Sequence, residues 1–397
     1  MTSKPIVSLA LILIFISCTE KTSDKDYVLA DDSSDDMPSV SSEEPEVEFS
    51  DADLVYAWVS NMQHDSGLME SAEGTDFVSL YDNALASLIF IANGDLEKAE
   101  KIFDYFNTRI DSELLFGTGG FYQFRNTTGA NGSRTWLGDN AWLLIALNNY
   151  KELTNSNKYN RLSEELQNWI RSLQGEDGSL KGGYNEDGTE IGKITEGIIT
   201  AYNAVRGYDD FHKNILNYLN NERWNASEFV LMTQNEYPQY QYALDLHSLG
   251  YLVLDKYPNA VLEQAVRYQN IQLSTSTSKQ LVGYCFDEDL DVIWLEGTAQ
   301  IALAYKNAHQ YSRSANIIEE IEKTFINSEI SPHVKGLPYT ANQGTCFGAE
   351  YLWDHADTKP ALSSSIWYLF NKFDFNPLVL EQDKSVPQTD RFWIPVM

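Results

Sequence analysis

The segment Arg134-Thr-Trp-Leu-Gly-Asp-Asn-Ala-Trp-Leu-Leu-Ile-Ala-Leu-Asn-Asn-Tyr150 decides the fold, because its pattern recurs along the chain. Each copy opens with a polar residue and continues as an apolar helix that is rich in small residues. Five copies carry an acid at the start, and these acids stand 57, 57, 49 and 51 residues apart. Such spacing is typical of architectures in which helical pairs stack or close into a ring. The five acids are Asp82, Asp139, Glu196, Asp245 and Glu296.

Charged, amphipathic segments alternate with these apolar copies. Residues 95–106 and 162–173 both place apolar side chains at spacings of three and four, which predicts helices with one buried face. The apolar copies lack a polar face and are expected to be buried all round. A sixth copy, residues 361–370, has no acid. The chain therefore predicts an all-α (α/α)6 toroid over residues 54–380, with six inner helices, six outer helices and a C-terminal tail at 381–397.

The segments that precede the inner helices are long and rich in turn residues, as at 116–122, 174–184 and 332–342. Long loops of this kind are usually functional. They are expected on the face where the inner helices begin, which we call the mouth of the ring, and weak β-hairpins fit their composition. The acids at the helix starts are expected on the same face.

The composition is that of a globular protein with an unusual charge. The 397 residues are 43% hydrophobic and 13% aromatic, and the formal net charge is -30. This charge argues against a nucleic acid as partner, because such binding depends on Lys and Arg at the phosphates. Residues 19–53 hold 13 acids against 2 lysines, and their charge and lack of apolar periodicity predict a disordered acidic tether.

Residues 1–18 have the features of a targeting segment. Lys4 supplies a positive start, residues 6–16 form an apolar run too short to span a bilayer, and Ser17 precedes Cys18. The arrangement resembles the lipobox of bacterial lipoproteins, although Phe15 replaces the usual Leu. The resemblance implies lipidation of Cys18, export, and anchoring to the bacterial cell membrane. An ordinary signal peptide that is cleaved nearby is the alternative.

The helix starts resemble those of the six-hairpin glycosidase superfamily. The residues that carry the resemblance are Gly138-Asp-Asn-Ala-Trp142, Thr195-Glu-Gly197 and Trp294-Leu-Glu-Gly-Thr-Ala-Gln300, together with the aromatic, Gly-rich loops. It covers roughly residues 54–378. It implies a carbohydrate-active protein, since the superfamily includes hydrolases, polysaccharide lyases and sugar epimerases. Terpenoid cyclases share the toroid, but none of the predicted helices carries their Asp-Asp-x-x-Asp motif.

Hydrolysis of a glycosidic bond needs one protonated carboxyl and one ionised carboxyl. Several acids at one mouth supply both, because like charges disfavour joint ionisation. Glu296 is expected to be the general acid, with Asp139 as its partner and Asp82 in reserve. Asp245 is the weakest candidate, since the nearby His247 can satisfy it. The alternative for each acid is helix capping and interaction with the helix dipole.

Aromatic side chains near the proposed mouth are the candidate sugar-binding residues. Rigid aromatic rings can stack on the apolar C–H faces of sugars, whereas packing in the core is the alternative. The predicted partner is accordingly an oligo- or polysaccharide. The predicted substrate-binding residues are Trp136, Trp142, Trp294, Tyr81, Tyr339 and Glu196.

Neither a metal nor a cofactor is predicted for the reaction. Asp287-Glu-Asp-Leu-Asp291 offers oxygen ligands at alternating positions, but an EF-hand would need an acid where Thr298 stands. A looser calcium site and a solvated acidic loop both remain open. Cys285 and Cys346 either form a disulfide or stay as free thiols.

These features together predict a membrane-anchored glycoside hydrolase. The competing hypothesis is a non-catalytic glycan-binding or scaffold lipoprotein that kept the ring and lost one carboxyl of the pair. A polysaccharide lyase or a sugar epimerase ranks behind both.

The lipobox interpretation predicts that Cys18→Ala moves the protein from the membrane fraction to the soluble fraction. The reason is that the thiol of Cys18 is the proposed attachment point of the lipid. The measurement is fractionation of expressing cells followed by immunoblotting, with Cys285→Ala as a matched cysteine control. A Cys18→Ala protein that stays with the membrane contradicts the interpretation.

Overall fold

Alternating long and short loops connect twelve α-helices in the computed structural model, which describes residues 49–234, 241–343 and 355–394. The even-numbered helices coincide with the repeated apolar copies, and the odd-numbered helices coincide with the amphipathic segments. The helices are α1 Asp51–Asn61, α2 Leu80–Asn93, α3 Leu96–Asn107, α4 Leu137–Thr154, α5 Asn160–Ser172, α6 Thr195–Ala204, α7 Asp210–Tyr218, α8 Asp245–Val253, α9 Ala260–Gln264, α10 Leu295–Asn307, α11 Tyr311–Glu322 and α12 Leu362–Lys372.

The even-numbered helices form the inner ring. α2 contacts α4, and the contacts continue through α6, α8 and α10 to α12, which returns to α2. Each odd-numbered helix packs on one inner neighbour, α1 on α12 and each of the others on the helix before it. This cyclic order is the one that the repeats predict for an (α/α)6 arrangement.

Burial separates the two kinds of helix as the sequence predicts. α4 is buried on every face from Leu137 to Asn148, because its Ala, Gly and Leu side chains leave no polar stripe. α3 buries only one stripe, which includes Ala99, Ile102, Phe103 and Phe106. The inner helices can therefore pack on neighbours at both sides, whereas the outer helices keep one face in water.

Short antiparallel strands join the loops at the mouth. Two of them, β1 and β3, lead directly into α2 and α4, so that each helix start is fixed by strand pairing with another loop. The predicted weak hairpins are thus present. The pairs are β1 Val78–Ser79 with β2 Phe124–Arg125, β3 Thr135–Trp136 with β4 Gly183–Tyr184, β4 with β5 Glu190–Ile191, β6 Trp224–Asn225 with β7 Val230–Leu231, β8 Gln269–Leu273 with β9 Gln280–Tyr284, and β10 Ile326–Asn327 with β11 Lys335–Gly336.

The folded part extends beyond both predicted boundaries. α1 begins at Asp51, three residues before position 54, because Ser50 and Asp53 form a capping box. Residues after position 381 pack on the body, where the buried Trp393 donates its indole N–H to the Asp255 carbonyl at 3.1 Å. The predicted signal segment and most of the predicted tether lie outside the described residues. None of the described helices is long and apolar enough to cross a membrane.

Buried asparagines connect neighbouring inner helices. Asn148 of α4 donates its side-chain amide to the carbonyl of Ala204 at 2.8 Å, and Ala204 is the last residue of α6. Asn371 of α12 likewise donates to the Ala299 carbonyl of α10 at 2.9 Å. A carbonyl at a helix end has no partner within its own helix, so the Asn148 bond satisfies a group that would otherwise be buried alone.

We expect Asn148→Ala to lower the free energy of unfolding by about 1–3 kcal/mol, because the Ala204 carbonyl then loses its buried donor. Urea denaturation followed by circular dichroism measures the change. Asn220→Ala, at an exposed position, is the control and should change stability by less than about 0.5 kcal/mol. Equal effects of the two substitutions would show that the bond between α4 and α6 contributes little.

Candidate active site

A cavity of about 940 Å³ lies at the mouth of the ring. Its lining includes all five acids that mark the repeats, one from the first turn of each inner helix from α2 to α10. Ser363, from the first turn of α12, completes the set at the sixth helix. The sequence repeat therefore brings the acids together in one place.

Four of the five acids are deeply buried, and Glu196 is half-buried. Glu296 is 3% exposed, and Asp82, Asp139 and Asp245 are 7–8% exposed. Burial raises the pKa of Asp82 and of Asp245 to about 7 and that of Glu296 to about 8. Burial also raises the pKa of Asp139 and of Glu196 above their ordinary ranges. Proton exchange at the mouth is therefore possible near neutral pH.

The repulsion between neighbouring carboxyls also follows the ring. After burial, the pKa of Asp139 is raised by Glu196 on one side and by Asp82 on the other. The pKa of Glu296 is raised in the same way by Asp82 and by Asp245, and Asp245 also feels Glu196. The five acids thus form one electrostatic cycle, in which ionisation of one group opposes ionisation of the next.

Two glycines allow α4 and α6 to approach closely at this face. A Cβ atom on Gly138 would lie 2.8 Å from the Glu196 carboxylate, and one on Gly197 would lie 3.2 Å from the Gly138 nitrogen. A larger residue at either position would push the two helix starts apart. The glycines beside the acids in the repeated motif therefore have a packing role.

Glu296 accepts several hydrogen bonds. Its Oε1 accepts from the Tyr81 hydroxyl at 2.6 Å and from the Gln300 side-chain amide at 3.1 Å. Tyr81 in turn accepts from the indole N–H of Trp367 at 2.8 Å. These donors hold the carboxylate in place and oppose the rise in its pKa that burial causes.

Asp139 is less well satisfied. Its Oδ1 accepts one long bond, 3.4 Å, from the side-chain amide of Gln123, whose own oxygen accepts from Arg134 at 2.6 Å. Its Oδ2 is buried and accepts no hydrogen bond from the described residues. Arg134 also lies over the ring of Trp136, 4.5 Å from its centroid. One oxygen of Asp139 is therefore held, and the other can carry a proton.

The five predicted aromatic residues all line the cavity, but they differ in accessibility. Trp142 is 1% exposed and packs edge to face on Tyr81 and on Trp367, which is how a core residue packs. Trp136 and Tyr339 are half-buried and present more surface to the cavity. Sugar stacking is thus better supported for Trp136 than for Trp142.

Several lining residues escaped the sequence prediction. Phe77 and Phe124 come from different loops, pack with their ring centroids 4.9 Å apart, and line the cavity. Gln123 and Gln300 also line it and contact the acids. Phe77 is 41% exposed. This exposure points to a binding role only once the fold places Phe77 at the mouth, so the sequence alone could not show it.

The expectation that His247 satisfies Asp245 is wrong. The Nε2 atom of His247 lies 3.2 Å from the Tyr268 hydroxyl, and burial lowers the pKa of His247 to about 3. The Oδ1 atom of Asp245 is buried and accepts no hydrogen bond from the described part of the chain. Residues two apart on a helix point in different directions, which explains the error.

Carboxylates of the acidic loop at residues 287–291 accept hydrogen bonds from the backbone of the same loop. Asp287 accepts from the amide of Asp289, and Asp289 accepts from the amide of Asp291. Within residues 49–234, 241–343 and 355–394, no group of three His, Cys, Asp or Glu side chains is arranged to hold a metal ion. Cys285 is buried with a free thiol, and Cys346 lies outside the described residues.

Comparison with known proteins identifies the fold. No family model matches the chain, and no curated protein matches it in sequence. Similar solved structures include a wild-type glycosidase, which has a TM-score of 0.55 and 12% identity and covers 84% of this chain and 96% of its own. A sugar epimerase from a ruminal bacterium has a TM-score of 0.54 and 12% identity over 81% and 96% of the two chains.

A D-mannose isomerase has a TM-score of 0.56 and 12% identity over 82% of this chain and 95% of its own. The three similar structures have the six-hairpin glycosidase-like fold, and this chain shares it. At such low sequence identity the likeness extends to the fold alone.

The burial of Glu296 predicts a loss of stability as the pH rises. Its pKa is about 8 in the folded chain and 4.5 ordinarily, so between these values the native state keeps a proton that the unfolded state releases. Stability therefore falls through this window. Between pH 5 and pH 8.5, we expect the melting temperature of Glu296→Gln to fall less than that of the wild type, as measured by calorimetry.

Glu97→Gln is the control for this prediction, because Glu97 is an exposed acid in the first turn of the outer helix α3. Its pH dependence should match that of the wild type. If Glu296 served only to cap its helix, Glu296→Gln would instead lower stability by about 1 kcal/mol at pH 8. That outcome would contradict the assignment of Glu296 to the site.

Proposed function

We propose that the chain is a glycoside hydrolase that cleaves an oligo- or polysaccharide with two carboxyls at the mouth of the ring. The observation that carries this proposal is the contrast between Asp139 and Glu296. Both are buried in one aromatic-lined cavity, but one is poorly satisfied and the other accepts several hydrogen bonds. Glycoside hydrolysis needs two carboxyls in different protonation states.

Asp139 is assigned as the proton donor, in place of the partner role expected from sequence. Burial and two neighbouring carboxyls disfavour its ionisation, whereas the backbone N–H of Tyr81 and the long bond from Gln123 favour it. Gln123 holds Oδ1 as an acceptor, so the proton is assigned to Oδ2, which accepts no hydrogen bond from the described residues. From there it can pass to the oxygen of the leaving group.

Glu296 is assigned as the base or nucleophile, in place of the general acid, and it acts in the ionised fraction that its pKa of about 8 leaves near neutral pH. The Tyr81 hydroxyl and the Gln300 amide both donate to it, which stabilises negative charge. As a base, Glu296 takes a proton from the attacking water while Asp139 gives one to the leaving oxygen. As a nucleophile, it forms an ester with the anomeric carbon, which water then hydrolyses with Asp139 taking the proton of that water. Hydrolysis of this kind needs no cofactor.

The rest of the cavity would bind the sugar. Trp136 and the pair of Phe77 and Phe124 offer ring faces and edges, and Asp82 can accept hydrogen bonds from sugar hydroxyls. Among similar structures, a variant of the glycosidase is in complex with glucose. This supports a carbohydrate as the ligand of a protein with this fold.

A sugar epimerase or isomerase is the second candidate, because two of the similar structures are such enzymes. These reactions remove a proton from carbon and need a base beside a carbonyl group. The described part of the cavity lining contains one imidazole, that of the exposed His355. The starts of the inner helices instead contribute carboxyls to the lining. This difference favours hydrolysis. A non-catalytic glycan-binding protein is the third candidate.

We also propose that the enzyme works outside the cytoplasm, anchored to the membrane through a lipid on Cys18. The support is the lipobox-like sequence and the acidic segment that follows it. A flexible spacer would let the ring reach a polymer at a distance from the membrane.

The hydrolase assignment predicts that the wild type releases new reducing ends from an oligosaccharide panel, as followed by NMR. Asp139→Asn should lower turnover by roughly 10²–10⁴-fold on unactivated glycosides and far less on an aryl glycoside, whose leaving group needs no proton. Glu296→Gln should lower turnover strongly on both.

Three results would contradict these assignments. Conversion of free sugars without new reducing ends would identify an epimerase or isomerase, and binding without any conversion would identify a glycan-binding protein. If the aryl glycoside rescued Glu296→Gln and not Asp139→Asn, the two residues would have the opposite roles.

A further inference from the structure

One side of the cavity is not needed for the proposed chemistry. Asp245 starts α8 and Glu196 lies in the first turn of α6, so the two acids are neighbours in the ring. Asp245 is 8% exposed and lines the cavity, and its Oδ1 atom has no hydrogen-bond partner among the described residues. Burial of an ionised carboxyl is costly unless a cation in the cavity pairs with it.

The basic residues of the described lining lie on the opposite side. They are His355 and Lys359, in the loop before α12, and Lys359 approaches Gly74 in the loop before α2. In a ring of six, α12 and α2 are opposite α6 and α8. The cavity is therefore polarised, with its cations at one side and the unpaired carboxyl of Asp245 at the other.

Two aromatic residues line the same cavity, and one of them is hydrogen-bonded to the start of α8. The Phe286 carbonyl accepts from the amide of Leu244, which fixes Phe286 at the start of α8. The Phe286 ring packs against Trp294 with centroids 5.3 Å apart, and both residues line the cavity. Carboxylates next to aromatic faces attract organic cations through charge pairing and cation–π contacts. The described side chains do not converge as a metal site would require.

We propose that the Asp245 side of the cavity binds an ammonium group, so that the substrate is a glycoside of an amino sugar with a free amine. The class of substrate rests on the proposed hydrolase function, whereas binding of the amine does not. Glu196 adds a second negative charge next to Asp245, and the rings of Phe286 and Trp294 flank the amine.

The test is titration calorimetry of the full chain at pH 7 with D-glucosamine, N-acetyl-D-glucosamine and D-glucose. We expect the wild type to bind D-glucosamine at least roughly tenfold more tightly than the two neutral sugars, since a partly buried ion pair is worth at least that factor. Asp245→Asn should bring the three affinities within about threefold of one another.

Asp210→Asn is the matched control, because Asp210 is an exposed acid in the first turn of the outer helix α7. It removes the same net charge and should keep the preference for D-glucosamine. Equal or weaker binding of D-glucosamine by the wild type overturns the proposal, and this result does not depend on the folding of any variant. A preference that Asp245→Asn leaves intact also overturns it.

Hydrolysis assays separate this proposal from the hydrolase function. Cleavage of neutral or N-acetylated oligosaccharides in preference to the free-amine forms would refute the amine site and leave the hydrolase. Tight, Asp245-dependent binding of D-glucosamine without any cleavage would refute the hydrolase and leave the amine site.

Discussion

Five buried carboxyls that repel one another are the constraint on which the structure of the mouth depends. Like charges at such positions are held together only if something offsets the repulsion. The starts of the inner helices do so in part, because their free backbone N–H groups carry partial positive charge. A backbone hydrogen bond from Tyr81, in the first turn of α2, acts in this way on Asp139. Protonation of some of the carboxyls removes the remaining repulsion. The same protonated groups are then available for acid–base chemistry.

Other buried acids in the protein show how a structural carboxylate differs. Glu73 accepts from the Trp58 indole at 2.7 Å and from the Ser328 hydroxyl at 2.8 Å, and Glu113 pairs with Arg125 at 2.6 Å. These donors come from distant segments, so the two acids connect loops. Asp139 keeps one oxygen without such a donor, in a cavity. The hydrogen bonds that a buried carboxyl lacks, more than its burial, therefore distinguish a site from a framework.

Sequence periodicity predicted the inner helices because their burial is a property of each segment alone. It also predicted that the acids meet, since equivalent positions of a repeat come to equivalent places in a ring. It could not find Gln123 or Trp367, because these residues act through partners that are brought close only by the fold. The pairing of Asp245 with His247 failed for the opposite reason, since closeness in sequence does not give closeness of side chains on a helix.

The proposed exchange of roles between Glu296 and Asp139 follows from the same limitation. In sequence both acids stand beside tryptophans, so each is expected to be desolvated and neither is distinguished as the acid. In the fold, Trp142 packs into the core, so it does not distinguish the two acids. The hydrogen-bond donors around each carboxyl do distinguish them. Glu296 receives Gln300 from the next turn of its own helix, four residues on. Asp139 accepts a hydrogen bond from Gln123, which lies in the loop before α4. The conformation of that loop therefore affects whether Asp139 keeps its proton.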